Sequence, residues 1–281
     1  MAFGFLKRKK KLKPILEKNF NCSAVAFTDK GEIKDINEDR LVFINPFDEN
    51  VRKTKGCLAL VCDGMGGHNS GDYAAQLAID AIPKLYYEKE EVFKSCLNKA
   101  VLATNSLIYN IASQEIKHAK MGTTCTAMVI LDEDLFIVHA GDSRAYLITS
   151  GSIDLLTTDH TYVEHLFQSG TITKAEKNTH PDRNIVTKVI GTQKSVVPDT
   201  YLLEDHFKTG NKLLLCSDGL YDYLQDNEIL QIVNTMEKGM AAEHLINTAK
   251  KRGGHDNISV LIIDKHELQN QQPKITKEVL S

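Results

Sequence analysis

The chain has 281 residues and a mass of 31.4 kDa, with 42% hydrophobic and 25% charged residues, the balance of a soluble globular protein and not of a disordered one. No apolar run approaches the roughly 18 residues of a membrane-crossing helix. The net charge of −3 hides an asymmetry, because residues 1–20 hold seven Lys or Arg and one acid, leaving a body with 27 basic and 36 acidic residues. Such an acidic body excludes general nucleic-acid binding.

Met1–Leu6 is too short for a secretory h-region. Followed by Lys7–Lys11, it suits contact with an anionic membrane surface or a solvated tail. Residues 1–20 are therefore read as a basic tail, 21–266 as one domain and 267–281 as a polar tail. Apolar runs at Ala24–Phe27, Leu41–Ile44 and Leu58–Cys62 predict strands. Helical spacing follows over Gly71–Leu85 and Glu91–Ile111. Strands return at Cys125–Leu131, Leu135–Ala140 and Ala145–Ile148. Residues 157–192 are polar and irregular, a long excursion carrying short helices. Strands at Val196–Leu203 and Lys212–Cys216, helices at Asp226–Thr235 and Met240–Lys250, and a last strand at Ile258–Ile263 complete the domain. Strands grouped with strands and helices with helices predict an α+β fold with antiparallel sheets. The six cysteines are scattered without a C-x-x-C pair, so a reducing cytoplasm is the natural compartment.

Acidic residues recur where the predicted strands stop. Asp63-Gly64 and Asp218-Gly219 follow two strands, Gly141-Asp142 a third, and Glu38-Asp39 and Asp256-Asn257 immediately precede two others. One Asp-Gly alone is an ordinary turn. Five acidic elements meeting at one sheet edge would repel, so their pKa values rise or a cation sits among them. All the candidate ligands are oxygen donors and no zinc-type His/Cys spacing occurs, which points to Mg²⁺ or Mn²⁺.

Six elements occur in order: Asn37-Glu38-Asp39-Arg40, Val61–His68, Met121-Gly122-Thr123-Thr124, Ala140–Arg144, Ser217-Asp218-Gly219 and Gly254–Asn257. The set resembles the PP2C-type (PPM) metal-dependent protein serine/threonine phosphatases, in particular their bacterial branch, and covers residues 21–264. The resemblance implies a four-layer α-β-β-α sandwich, two antiparallel sheets flanked by helix pairs, with two metal ions at one end. It assigns Asp63 as the bridge between the ions, the Gly64 carbonyl to one ion, and Asp218 and Asp256 to the other. Glu38 and Asp39 become direct or water-mediated partners of the second ion. Asp142 and Asp222 match positions that hold a third, weaker ion in many relatives, and 157–192 matches the family's flap.

The implied reaction is hydrolysis of phosphoserine and phosphothreonine in proteins by a metal-bridged water, without a covalent phosphoenzyme. It also implies a Ser/Thr kinase as the opposing partner. Two departures stand out. Where many relatives place a phosphate-clamping Arg, this chain has Lys34, a point charge and not a fork. Met65 stands where animal members have a His proposed as general acid. Two other readings stay open: a pseudophosphatase that binds phosphoproteins, and a hydrolase of small phosphoesters. His68 suits substrate approach or a helix-start hydrogen bond, and His139 reads as a satisfied core residue. His160, His165 and His180 read as solvated, and Asp142-Ser143-Arg144 as a hairpin closed by an Asp–Arg pair. Gly64–Gly67 lacks the G-K-[ST] of a nucleotide loop.

Overall fold

A computed structural model describes residues 20–66, 70–88 and 91–267. The basic tail up to residue 19, His68 and residues 268–281 lie outside the described residues. The strands are β1 (Phe20–Asp29), β2 (Asp39–Ile44), β3 (Cys57–Met65), β4 (Gly122–Thr123), β5 (Cys125–Leu131), β6 (Asp134–Ala140), β7 (Arg144–Ile148), β8 (Ile153–Leu155), β9 (Asp199–Leu203), β10 (Lys212–Cys216) and β11 (Ile258–Glu267). The helices are α1 (Glu49–Lys55), α2 (Ser70–Tyr87), α3 (Phe93–Gln114), α4 (Tyr162–Gln168), α5 (Lys174–Thr179), α6 (Asp218–Tyr221), α7 (Asp226–Thr235) and α8 (Lys238–Lys251).

The strands form two antiparallel sheets, β1-β11-β10-β7-β8 and β2-β3-β5-β6-β9, with β4 paired to β3. The twofold period of the central strands builds three cores. In β3, Leu58, Leu60 and Cys62 point to α2 and α3, while Cys57, Ala59 and Val61 point to the other sheet. In β11, Ile258, Val260 and Ile262 face α7 and α8, while Leu261 and Ile263 face inward. These strands are apolar on both faces because each separates two cores. The result is the expected four layers: α2 and α3, two sheets, then α7 and α8.

Several edges differ from the sequence reading. Beta pairing begins at Asp199 and not at Val196, and Pro198 lacks a ladder donor. Helix α1 escaped notice because only seven residues, ENVRKTK, carry it. Its start is fixed by Asp48, whose carboxylate accepts from the Asn50 and Val51 N–H groups. Short β8 and α6 were also unforeseen, and β11 continues to Glu267. The excursion at 157–192 does carry two short helices, α4 and α5. All six cysteines are buried and free. Among the described residues no helix is long and apolar enough to cross a membrane.

Candidate metal centre

Strand register starts the site. Asp39, first residue of β2, stands opposite Asp63 of β3. Arg40 fixes this corner by donating to the carbonyls of Asn37 (2.9 Å) and Asp39 (2.7 Å) and pairing with Asp72 of α2. From the second sheet, Ser217 follows β10 and its hydroxyl donates to Asp39 Oδ2 (2.6 Å). Asp218 then opens α6. Asn257, just before β11, holds the loop between β1 and β2: its Oδ1 accepts from Glu38 N–H (2.8 Å) and its Nδ2 donates to the carbonyls of Lys30 (3.0 Å) and Ile36 (2.9 Å). The Met121–Thr124 segment is structural. Thr124 Oγ accepts from Asp63 N–H (2.8 Å) and meets the Ser143 hydroxyl at 2.7 Å, tying β3 to the turn that carries Asp142.

Two glycines let these segments touch. A Cβ on Gly64 would lie 2.1 Å from the Gly71 carbonyl oxygen and 2.8 Å from that of Glu38. Gly141 has φ +126°, and a Cβ there would strike the Thr124 side chain at 2.5 Å. Neither position admits a side chain.

Burial and mutual repulsion raise the pKa values of these acids. Burial pushes the Asp63 carboxyl well above its ordinary value, and Asp39, Asp218, Asp142 and Asp256 raise it further. Asp218 is shifted the same way by burial and then by Asp142, Asp256, Asp222 and Asp39. Burial takes Asp39 up to about 6 and, with Asp159 nearby, Asp142 up to about 7. Burial raises Glu38 too, against hydrogen bonds from the backbone of Asp72 and Gly71. Asp222 is raised by burial although Arg183 opposes the shift.

Two oxygens in this cluster, Asp39 Oδ1 and Asp218 Oδ1, are buried with no hydrogen-bond partner among the described residues. A buried carboxylate oxygen without a donor is costly unless a cation meets it. The donors are hard oxygens, so the residues present fit Mg²⁺ or Mn²⁺. Among the described residues no three His, Cys, Asp or Glu side chains stand close enough together to hold a metal ion as they are arranged. Two of the acids are drawn aside: Asp256 Oδ1 lies 2.8 Å from Lys34 Nζ, and Asp39 Oδ2 is taken by Ser217.

Lys34 is thus at the cluster, but its ammonium faces a carboxylate. Burial disfavours its charge, yet Asp256 outweighs this and its pKa rises. Arg144 does not pair with Asp142. It forks onto Asp159 (2.8 and 2.6 Å) and lies 3.5 Å from the centre of the Tyr221 ring. His139 is the satisfied core residue expected, bonded to Thr126 Oγ (3.0 Å) and the Thr158 carbonyl (3.1 Å). His160 is not solvated: its Nδ1 accepts from Gly141 N–H (3.0 Å), its ring stacks on His139 and its Nε2 lies 3.2 Å from Asp199 Oδ2. His165 is exposed and His180 half-buried. Sequence reasoning missed Arg183 of the excursion, which reaches Asp222 at 3.2 Å. Its partner lies 39 residues away, and no local spacing announces such a contact.

The family model "Protein phosphatase 2C" matches residues 23–165 and 181–258. The serine/threonine phosphatase stp of Listeria innocua is 33% identical over 249 residues, covering 86% of this chain and 95% of that protein. The crystal structure of the Mycobacterium tuberculosis serine/threonine phosphatase PstP/Ppp superposes with a TM-score of 0.77 at 34% identity, over 86% of this chain and 98% of that one. Stp1 from Staphylococcus aureus gives 0.77 at 32% identity, over 92% and 99%. The PstP catalytic domain in complex with two manganese ions gives 0.75 at 32%, over 88% and 99%. The chain belongs to the protein phosphatase 2C family.

Proposed function

We propose that the chain hydrolyses phosphoserine and phosphothreonine in proteins in one step, with Mn²⁺ or Mg²⁺ and without a phosphoenzyme. The observation that carries this reading is the pair of orphaned carboxylate oxygens, on Asp39 and Asp218, inside a cluster of mutually repelling acids. Asp63, the Gly64 carbonyl, Asp218 and Asp256 would hold two ions, with Glu38 and Asp39 completing the set and Asp142 and Asp222 offering a third, weaker position. When bound, such ions acidify water and neutralise charge on phosphoryl oxygens. Asp39, whose Oδ2 accepts from the Ser217 hydroxyl, would take up a proton from water. Lys34 supplies an ammonium for the substrate phosphate once Asp256 is engaged by a cation. No thiol competes as nucleophile, because every cysteine is buried.

The manganese pair in the PstP catalytic domain supports the choice of ion, and the named phosphatases among the relatives support the substrate class. A Ser/Thr kinase is the opposing partner that such an activity requires. The test is turnover of p-nitrophenyl phosphate and a phosphothreonine peptide with Mn²⁺, Mg²⁺ or EDTA. Activity with either metal and none with EDTA is expected. Silence under all conditions would leave the pseudophosphatase reading. Good turnover of the small ester with almost none of the peptide would leave a small-phosphoester hydrolase.

A further inference from the structure

We propose that a groove leading away from the acidic cluster receives the substrate's polypeptide beside the phosphorylated residue, and that it selects there for a large aliphatic or aromatic side chain. This inference rests on the phosphatase reading above.

The groove is a cavity of about 840 Å³ whose lining includes Asp142, Asp218 and Asp222 of the acidic cluster. That size lies in the range of roughly 300–1,000 Å³ that accommodates a drug-sized ligand. It exceeds what a single phosphorylated side chain fills. One wall is α4 and α5 of the excursion, and the other is α6 with the start of α7. A chain whose phosphoryl group reaches the acids must therefore lay its neighbouring residues between these walls.

The chemistry of the walls decides what they prefer. Of the four cations lining the groove, three are already engaged. Arg144 is forked onto Asp159, Lys177 pairs with Asp159 and Glu164, and Arg183 pairs with Asp222. These pairs take up the charge of three of the cations, and Lys174 of α5 and Asp226 of α7 are left without an ion pair among the described residues, one of each sign on facing walls. Apolar surface is also open among these polar groups: Leu155 and Phe167, 43% and 38% exposed, line the groove together with the buried Val163 and Leu224. An apolar residue of the substrate landing on Leu155 and Phe167 removes water from both partners.

The experiment scans phosphothreonine peptides with Leu, Ala or Glu at each flanking position, in the presence of Mn²⁺, with p-nitrophenyl phosphate as the small-ester control. The wild type should prefer Leu over Ala by about tenfold in kcat/KM at a position on one side of the phosphothreonine. Phe167→Ala should shrink that ratio to about twofold or less, while Phe167→Leu keeps most of it. A ratio between two peptides in one protein is insensitive to the fraction of the variant that folds. Equal turnover of Leu and Ala peptides at every position overturns the proposal, as does a ratio unchanged in Phe167→Ala. With p-nitrophenyl phosphate and peptides still hydrolysed, only the groove is refuted. If the wild type hydrolyses neither, the phosphatase reading falls and takes the groove with it.

Discussion

Lys34 Nζ lies 2.8 Å from Asp256 Oδ1, so the one cation at the position of a phosphate clamp is held by a candidate metal ligand. A cation entering the cluster competes with Lys34 for Asp256. Lys34→Ala should therefore bind Mn²⁺ about two- to fivefold more tightly in calorimetric titration, the scale of a solvent-exposed ion pair. The same variant should show a KM for phosphopeptide that rises more than kcat falls. If neither metal affinity nor KM moves, Lys34 is an ordinary surface residue.

Asp218 carries an oxygen with no partner in a crowd of acids. Asp218→Asn removes a repelled charge, so the metal-free protein should gain about 1–2 kcal/mol in thermal unfolding. The stabilisation that Mn²⁺ confers on the wild type should largely vanish, and kcat should fall at least about a hundredfold, the loss of a metal ligand. Normal rates in this variant would remove Asp218 from the site.

The stacked pair His139 and His160 gives a pH dependence. Burial and then the charge of His160 push His139 down to about 4, and burial with Lys188 also lowers His160. Below about pH 6.5 the unfolded chain takes up protons that folded His139 refuses, so this contribution is complete above that pH and is lost as pH falls towards 4. Asp159 and Asp199 face the pair and oppose the shifts without reversing them. The carboxyls of Asp39, Asp63, Asp142 and Asp218 are raised in the folded protein, take up protons over the same window and oppose this loss, so the His139 contribution is read as a difference between two proteins. Between pH 7 and pH 4 the unfolding free energy of His139→Gln should move relative to the wild type by an amount on the order of 3 kcal/mol in favour of the variant. An unchanged difference would show that other groups control the acid limb.

Asp159 anchors Arg144 in a nearly water-free place, with side-chain exposures of 5% and 17%. Asp159→Asn leaves a buried guanidinium short of its counter-charge and should cost about 3 kcal/mol. Burial raises the Asp159 pKa, but Arg144 more than offsets it and the net shift is downward. The pair's contribution is therefore present above the ordinary carboxylate range and is lost only at more acid pH. It stays intact through the window in which His139 acts. A loss below about 1 kcal/mol, the ceiling for an exposed pair, would mean that water reaches the guanidinium.

The layers were legible in the sequence because the central strands are largely apolar runs between turn residues, as in Cys125–Leu131, which the structure reproduces residue for residue. Ends were less legible where a few residues carry an element, as with α1 and α6, since a single turn has no period to read. The acids of the site were visible at strand ends, yet their partners were not. Ser217 on Asp39, Arg183 on Asp222 and Asp159 on Arg144 are joined by loops whose paths no local spacing encodes. His160 was misjudged for the same reason: a polar stretch looks solvated until the fold stacks it on His139.

Strand β1 begins at Phe20 opposite Glu267, while its other end, Asp29, meets Ile258 and leads into the loop packed against Asp256. Ten residues of strand separate these ends, roughly 30 Å of rise. Whatever precedes Phe20 and follows Glu267 therefore joins the molecule at neighbouring points on the pole opposite the acids. A partner fused at either point would stand roughly one strand length from the acids and leave the groove beside them uncovered.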